Sequence, residues 1–105
     1  MLVDSRNVLR SKWPNIPERE LVELVRSWAA ASGKVALLVF DGRAPVEADD
    51  VVGTGAESAD DWIAREAPRH APYWLVTSDR ELRKRAGAGA DRVIGGGSFA
   101  AELTR

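Results

Sequence analysis

A short apolar segment that runs directly into a charged helix, Tyr73 to Arg85, constrains the fold of this chain more than any other stretch. Tyr73–Val76 is aromatic and β-branched, which is typical of a central β-strand. Ser78 is followed three residues later by Glu81, a capping-box pattern that predicts a helix beginning at Asp79. A strand that leads at once into a helix leaves polar side chains at its carboxyl end. In open parallel sheets, this is the edge at which ligands bind.

The rest of the chain alternates apolar segments with helical patterns. Val35–Phe40 is apolar without alternation, which predicts a strand buried on both faces, as parallel strands are. Shorter strands are predicted at Leu2–Val3, Val51–Val52 and Arg92–Ile94. Helices are predicted from Pro17 to Gly33, from Ser58 to about Ala67, from Asp79 to Gly87, and after a turn at Gly95–Gly97 in which Ser98 is the cap. The order predicts a single domain over residues 1–105, a three-layer α/β/α sandwich with a mainly parallel central sheet.

Composition and charge exclude several classes of protein. The chain has no cysteine, so it contains no disulfide, zinc–thiolate site or thiol nucleophile. Its 15 Lys and Arg residues against 16 Asp and Glu residues give a net charge of −1, which argues against coating nucleic acid by bulk charge. The longest apolar run is far too short to span a bilayer, and the N-terminus does not read as a signal peptide. We therefore expect a cytoplasmic protein without a membrane partner.

Four carboxylates fall at equivalent places in this predicted fold. Asp4 and Asp41 end predicted strands, and Asp79 follows a third. Asp60 heads the sheet-facing stripe of a helix, whereas Asp61 is the capping-box acid of that helix. Because the carboxyl ends of parallel strands share one edge, these side chains are expected to meet there. Such a cluster is costly unless a cation or a proton compensates, and oxygen ligands suit Mg²⁺ or Mn²⁺, which can activate water for phosphodiester hydrolysis.

Each acid taken alone also has a purely structural explanation. Asp4 is a common turn former, and Asp41 before Gly42 is an ordinary Asp-Gly turn. Asp60 and Asp79 are both favourable at helix N-termini through the helix dipole alone. The joint pattern favours a functional cluster because every member lies at the edge where ligands bind.

Basic residues close to the predicted acidic edge are candidates for holding phosphate groups. Arg80 and Arg83 lie on the helix that follows Asp79, and Arg80 is nearest the edge. Arg6 and Arg10 are comparable candidates in the segment after Asp4, which is predicted to be a loop. A solvated helix face is the alternative explanation for part of this set.

Two of the four tryptophans are predicted to be core residues and two remain candidates for stacking on bases. Trp28 and Trp74 lie on buried patterns, which places them in the core. Trp13 and Trp62 lie outside those patterns and could stack on nucleic-acid bases.

Four ordered motifs resemble those of the NYN-domain family, most closely its YacP-like branch, within the wider PIN-like nuclease fold. The motifs are Val3-Asp4-Ser5-Arg6-Asn7-Val8, Val39-Phe40-Asp41-Gly42, Ser58-Ala59-Asp60-Asp61-Trp62-Ile63 and Val76-Thr77-Ser78-Asp79. Together they span nearly the whole chain. The resemblance implies a Rossmann-like α/β/α sandwich with metal-dependent ribonuclease activity.

The resemblance also implies roles for individual residues. The acidic metal site would consist of Asp4, Asn7, Asp41, Asp60 and Asp79, with Thr77 and Ser78 lining it. The cofactor would be Mg²⁺ or Mn²⁺ and the substrate RNA, with the ribosome as a further candidate partner. A non-catalytic RNA-binding or ribosome-associated module on the same fold is the alternative. A phosphatase or a receiver-like protein with an acidic pocket is disfavoured because Asp4-Ser5-Arg6 lacks the D-x-D-x-T pattern of one phosphatase class.

Overall fold

The computed structural model describes residues 1–105 and contains one sheet of five strands, all parallel. The strands are β1 (Leu2–Asp4), β2 (Leu37–Phe40), β3 (Val51–Gly53), β4 (Trp74–Val76) and β5 (Arg92–Ile94). Their order across the sheet is β3-β2-β1-β4-β5. The predicted α/β class with a parallel central sheet is thus confirmed.

Five α-helices connect or follow these strands. They are α1 (Ser5–Arg10), α2 (Glu18–Ser32), α3 (Ala59–Glu66), α4 (Arg80–Leu82) and α5 (Gly96–Leu103). A 3-10 turn at Ala67–His70 extends α3, and a π-helical segment at Arg83–Gly87 extends α4. None of the helices combines the length and the apolar character that crossing a membrane requires.

Successive strand residues point to opposite faces of the sheet, and each face has its own buried cluster. Val3 and Phe40 belong to the cluster that includes side chains of α1, α2 and α5. Leu2 and Val39 belong to the other cluster, in which Ile63 of α3 is buried. Helices therefore cover the sheet on both sides, which explains why the strands are apolar without alternation.

The central strand β1 determines where a ligand site can form. From β1 the chain builds the sheet outward on one side through β2 and β3, then crosses over to add β4 and β5 on the other side. The direction of winding reverses between β1 and β4. In open parallel sheets, the loops beyond the strand carboxyl ends diverge at such a point and leave a crevice.

Two predictions in the first half of the chain were wrong. The segment after Asp4 is not a loop but the helix α1, in which Ser5 and Val8 are buried. The second strand begins at Leu37 rather than Val35, which is 86% exposed. Leu37 pairs with Leu2, the first residue of β1, so Val35 lies beyond the paired part of the sheet, where its carbonyl oxygen accepts a hydrogen bond from the Met1 amino group at 2.7 Å.

The start of α4 also differs from its prediction. The helix begins at Arg80, and Asp79 is its N-cap, because Asp79 Oδ1 accepts a hydrogen bond from the Leu82 backbone N–H at 3.0 Å. The Ser78 hydroxyl does not cap this helix. It accepts instead from the backbone N–H of Gly96, at 2.8 Å, and so ties β4 to the beginning of α5.

The two other predicted caps have opposite outcomes. Ser58 caps α3 as predicted, since its Oγ accepts from the Asp61 backbone N–H at 3.0 Å. Ser98 does not cap α5, because it lies within the helix and the N-cap position is Gly95, which has no side chain to act as a cap.

Candidate functional site

The four predicted acids come together at the carboxyl edge of the sheet. Asp4 is the last residue of β1, Asp41 directly follows β2, and Asp79 lies in the connection from β4 to α4. Asp60 is in the first turn of α3. The charges of Asp41 and Asp60 act on Asp4, and those of Asp41 and Asp79 act on Asp60. Four carboxylates from distant sequence positions thus share one electrostatic environment.

Asp4 is the most strongly perturbed acid of this cluster. Its side chain is buried, with 3% of the residue exposed, and burial raises its pKa to about 6. The Thr77 hydroxyl, which donates to Asp4 Oδ2 at 2.8 Å, and the charge of Arg10 act in the opposite direction, whereas Asp60 and Asp41 raise the pKa further. Asp4 therefore loses its proton near pH 6, well above the pH at which an ordinary aspartate does so.

The adjacent acids Asp60 and Asp61 lie in different environments, as their helical positions predict. Asp60 is half-buried, and its pKa is raised by burial and then by Asp79 and Asp41. Asp61 is exposed and accepts a hydrogen bond from Arg85 at 2.7 Å, which lowers its pKa. Only Asp60 belongs to the acidic cluster.

Thr77 links the two acids on either side of the crevice. Its hydroxyl donates to Asp4 Oδ2 and accepts from the Asp79 backbone N–H at 3.1 Å. Its carbonyl oxygen accepts from Arg83 Nε at 3.0 Å. Because the buried Thr77 is held on both its side chain and its backbone, it fixes the positions of Asp4 and Asp79 relative to each other.

Asn7 connects α1 to the same loop. Its Oδ1 accepts from the backbone N–H of Ser78 at 2.8 Å. Gly96 packs so closely here that an added Cβ would collide with Asn7 Oδ1 and Ser11 Oγ. The run of three glycines at residues 95–97 is the sequence signal of this contact, since a Cβ at Gly96 would force the Asn7 and Ser11 side chains to move.

The predicted basic residues divide according to what they contact. Arg6 lies against Asp41, with Nη2 donating to the Asp41 carbonyl oxygen at 3.2 Å and Nε 3.6 Å from Oδ2. Arg83 is bound to Thr77, as described, and Arg80 is exposed without an ion pair. Arg10 is close enough to Asp4 for its charge to lower the pKa of that acid.

The cluster offers oxygen atoms alone, which is the donor chemistry of Mg²⁺ and Mn²⁺. Part of this capacity is used within the chain: Asp41 Oδ1 accepts from the Ala59 backbone N–H at 2.5 Å, and Asp79 Oδ1 accepts from Leu82. The second oxygen of each accepts no hydrogen bond within the chain. In the conformations of the structure, no three histidine, cysteine, aspartate or glutamate side chains are close enough together to hold a metal ion.

Two substitutions at Asp79 separate its role as a helix cap from its role as a charge. Asp79→Ala removes both and is expected to lower the free energy of unfolding by about 1 kcal/mol, the usual cost of a lost N-cap. Asp79→Ser keeps a capping oxygen, so unfolding stability should stay near that of the wild type, whereas a role of the Asp79 charge in cation binding predicts a lower Mn²⁺ affinity. Urea denaturation and a Mn²⁺ titration measure the two effects. Equal Mn²⁺ affinity in wild type and Asp79→Ser would show that Asp79 is only a cap.

The comparisons with known proteins do not assign a family. No protein-family model matches the chain, and searches of curated proteins and of solved structures gave no significant match either.

Proposed function

We propose that this protein is a metal-dependent ribonuclease built on a Rossmann-like, PIN-like domain and acting in the cytoplasm. The observation that carries the proposal is the cluster at the winding reversal between β1 and β4. There the buried Asp4, with a pKa raised to about 6, lies in the field of Asp41 and Asp60. A chain does not gain stability by gathering like charges around a buried carboxylate, and perturbed acids of this kind in a crevice are typical of functional sites.

In this proposal the acids hold a divalent cation. Asp4, Asp41, Asp60 and Asp79 would supply the oxygen ligands after their side chains turn toward one another, because they do not converge on one point in the free protein. Mg²⁺ or Mn²⁺ held by these acids would offset the negative charge that develops during phosphodiester hydrolysis and would lower the pKa of water. Thr77 orients the Asp4 carboxylate through its hydroxyl, and this leaves the second Asp4 oxygen, which accepts no hydrogen bond within the chain, available to the cation.

The residues around the acids suit an RNA backbone. Asn7 uses its amide oxygen on Ser78, and its amide nitrogen donates no hydrogen bond within the chain, so that it is free to donate to a phosphate oxygen. Arg80 is exposed beside the cluster and can contact an adjacent phosphate. Arg6 compensates Asp41 in the free protein and can move to a phosphate when a cation replaces it.

A cleavage assay with a matched pair of variants tests this function. Wild-type protein is incubated with end-labelled single-stranded and hairpin RNA in Mn²⁺, in Mg²⁺ and in EDTA. We expect cleavage in the divalent metals, none in EDTA, and a loss of at least about 100-fold in Asp60→Asn, since even an outer-shell partner of a bound metal commonly contributes about 10- to 100-fold and Asp60 would be a direct ligand. Asp61→Asn is the control, because the adjacent acid lies outside the cluster. Equal loss in both variants, or cleavage that persists in EDTA, would refute the proposal.

A non-catalytic RNA-binding or ribosome-associated module is the second candidate, and a specific observation favours it. Asp41 Oδ1 and Asp79 Oδ1 already accept hydrogen bonds at the N-termini of α3 and α4, so these two acids stabilise the fold without a metal. This candidate predicts that RNA binding measured by gel shift is the same in EDTA and in Mn²⁺, with no cleavage in either.

A further inference from the structure

A second cleft opens on the face of the sheet covered by α2 and α5, away from the acidic cluster. It has a volume of about 410 Å³, which is within the range of small-ligand sites. Trp28 of α2 and Phe99 of α5 form part of its wall, with ring centroids 5.1 Å apart in an edge-to-face arrangement. Trp74 at the start of β4 lines it as well. Trp28 and Trp74 are therefore half-buried walls of a cleft rather than fully buried core residues.

Two cations flank the Trp74 ring in this cleft. The Lys34 ammonium lies 3.8 Å from the ring centroid, and the Arg92 guanidinium carbon lies 4.9 Å from it. Neither forms an ion pair with any carboxylate of the chain. The one acid in the lining, Glu102, is paired with Arg105 at 3.2 Å. The charges that the cleft presents without a partner are thus both positive.

The sheet register places Arg92 beside Trp74, and the end of α2 places Lys34 there. Trp74 and Arg92 are register partners on the neighbouring strands β4 and β5, so their side chains lie on the same face. Lys34 follows Gly33, whose left-handed φ of 66° ends α2 and turns the chain toward β2. In the sequence, the cleft is marked only by a basic residue before β2 and another at the start of β5. The cleft itself could not be predicted, because no local pattern shows that α2, β4 and β5 meet.

We propose that this cleft binds a nucleoside phosphate. The half-buried Trp28 and Trp74 rings are suited to a planar base, which stacks on an aromatic side chain without regard to the identity of the base. A base on Trp74 would take the place of the Lys34 ammonium, which would move to the phosphate. Lys34 and Arg92 are suited to the phosphate, with the Ser98 and Ser32 hydroxyls as additional donors in the lining. A neutral aromatic ligand would leave the two cations uncompensated, and a simple inorganic anion would leave the apolar walls exposed to water. The nucleotide can be a free mononucleotide or the terminal nucleotide of an RNA strand.

Binding of adenosine 5′-monophosphate in EDTA tests the proposal separately from the proposed ribonuclease activity. Titrations follow tryptophan fluorescence and the indole N–H resonances of wild-type protein. We expect saturable binding that shifts the Trp74 resonance, with adenosine at least about tenfold weaker because it lacks the charge-assisted contacts. The variant Lys34→Gln/Arg92→Gln, which changes two exposed side chains and should fold normally, should bind at least about tenfold more weakly.

Control variants and an RNA probe complete the test. Lys84→Gln, at an exposed lysine outside the cleft, and Asp4→Asn, in the acidic cluster, should both bind the nucleotide as the wild type does. A 5′-phosphorylated trinucleotide that binds more tightly than the mononucleotide identifies an RNA end as the ligand, and the reverse identifies a free nucleotide. The proposal is overturned if neither saturates at millimolar concentration, if adenosine binds as tightly as its monophosphate, or if the double variant keeps wild-type affinity.

Discussion

Asp4→Asn is expected to make the metal-free protein more stable at pH 8 and, at the same time, to abolish the proposed cleavage of RNA. Asp4 is buried among other acids, and its pKa is raised from 3.8 to about 6. Above pH 6 the folded protein therefore carries a charge that is less favourable there than in the unfolded chain. Asparagine has nearly the same shape, can accept the hydrogen bond from Thr77, and carries no charge.

The size of this effect follows from the pKa. The rise of the Asp4 pKa from 3.8 to about 6 corresponds to at most about 3 kcal/mol, which for a domain of this size is up to about 12 °C in Tm. Thermal unfolding of wild type and Asp4→Asn at pH 8 and pH 4 measures it, and the variant should exceed the wild type only at pH 8. Asp61→Asn is the control, which should not gain stability because Asp61 is exposed and paired with Arg85. A less stable Asp4→Asn at both pH values would mean that Asp4 is a structural link to Thr77.

Mn²⁺ is expected to stabilise the wild-type protein at pH 8 and to have little effect at pH 5. Because the folded pKa of Asp4 is raised, the stability contributed by its protonated form is fully present below pH 3.8 and is lost as the pH rises through about 6. Above that pH the ionised carboxylate is available to a cation, whereas below it a proton competes for the same oxygen atoms. A metal concentration 100-fold above Kd would add about 2.7 kcal/mol at pH 8.

Thermal unfolding at pH 5, 6, 7 and 8, each in Mn²⁺ and in EDTA, measures this dependence. The raised pKa of Asp60 acts in the same direction as that of Asp4, so the metal effect should appear between about pH 5 and 7 rather than near pH 4. A Mn²⁺ effect of the same size at pH 5 and pH 8 would contradict a site made of these carboxylates.

The sequence predicted the layout of the fold because the relevant signals are local. Unbroken apolar segments such as Leu38–Phe40 mark strands buried on both faces, and the helical stripe of α2 marks the layer that covers one of them. Given a parallel sheet, the acids that follow the strands must lie at one edge. This geometry predicts that the four acids lie near one another. In the structure, the charges of Asp41 and Asp60 act on Asp4, and those of Asp41 and Asp79 act on Asp60.

Several features could not be predicted because they depend on contacts between distant residues. Ser78 was expected to cap α4, but its hydroxyl is taken by the backbone of Gly96, 18 residues away, and Asp79 caps the helix instead. Likewise, the short helix α1 has too few residues to show a periodic pattern, and it is held in place by the contact of Asn7 with the loop after β4. Local propensity carries no information about such partners.

A Mn²⁺ titration of wild type, Asp60→Asn and Asp61→Asn at pH 7.5 tests whether the acidic edge holds a divalent cation. Calorimetry or the paramagnetic resonance of free Mn²⁺ gives the affinity and the number of sites. We expect saturable binding in the wild type, unchanged binding in Asp61→Asn and none in Asp60→Asn. Absence of saturable binding in the wild type, or the same affinity in both variants, would contradict the claim and leave these acids as helix caps on a binding module.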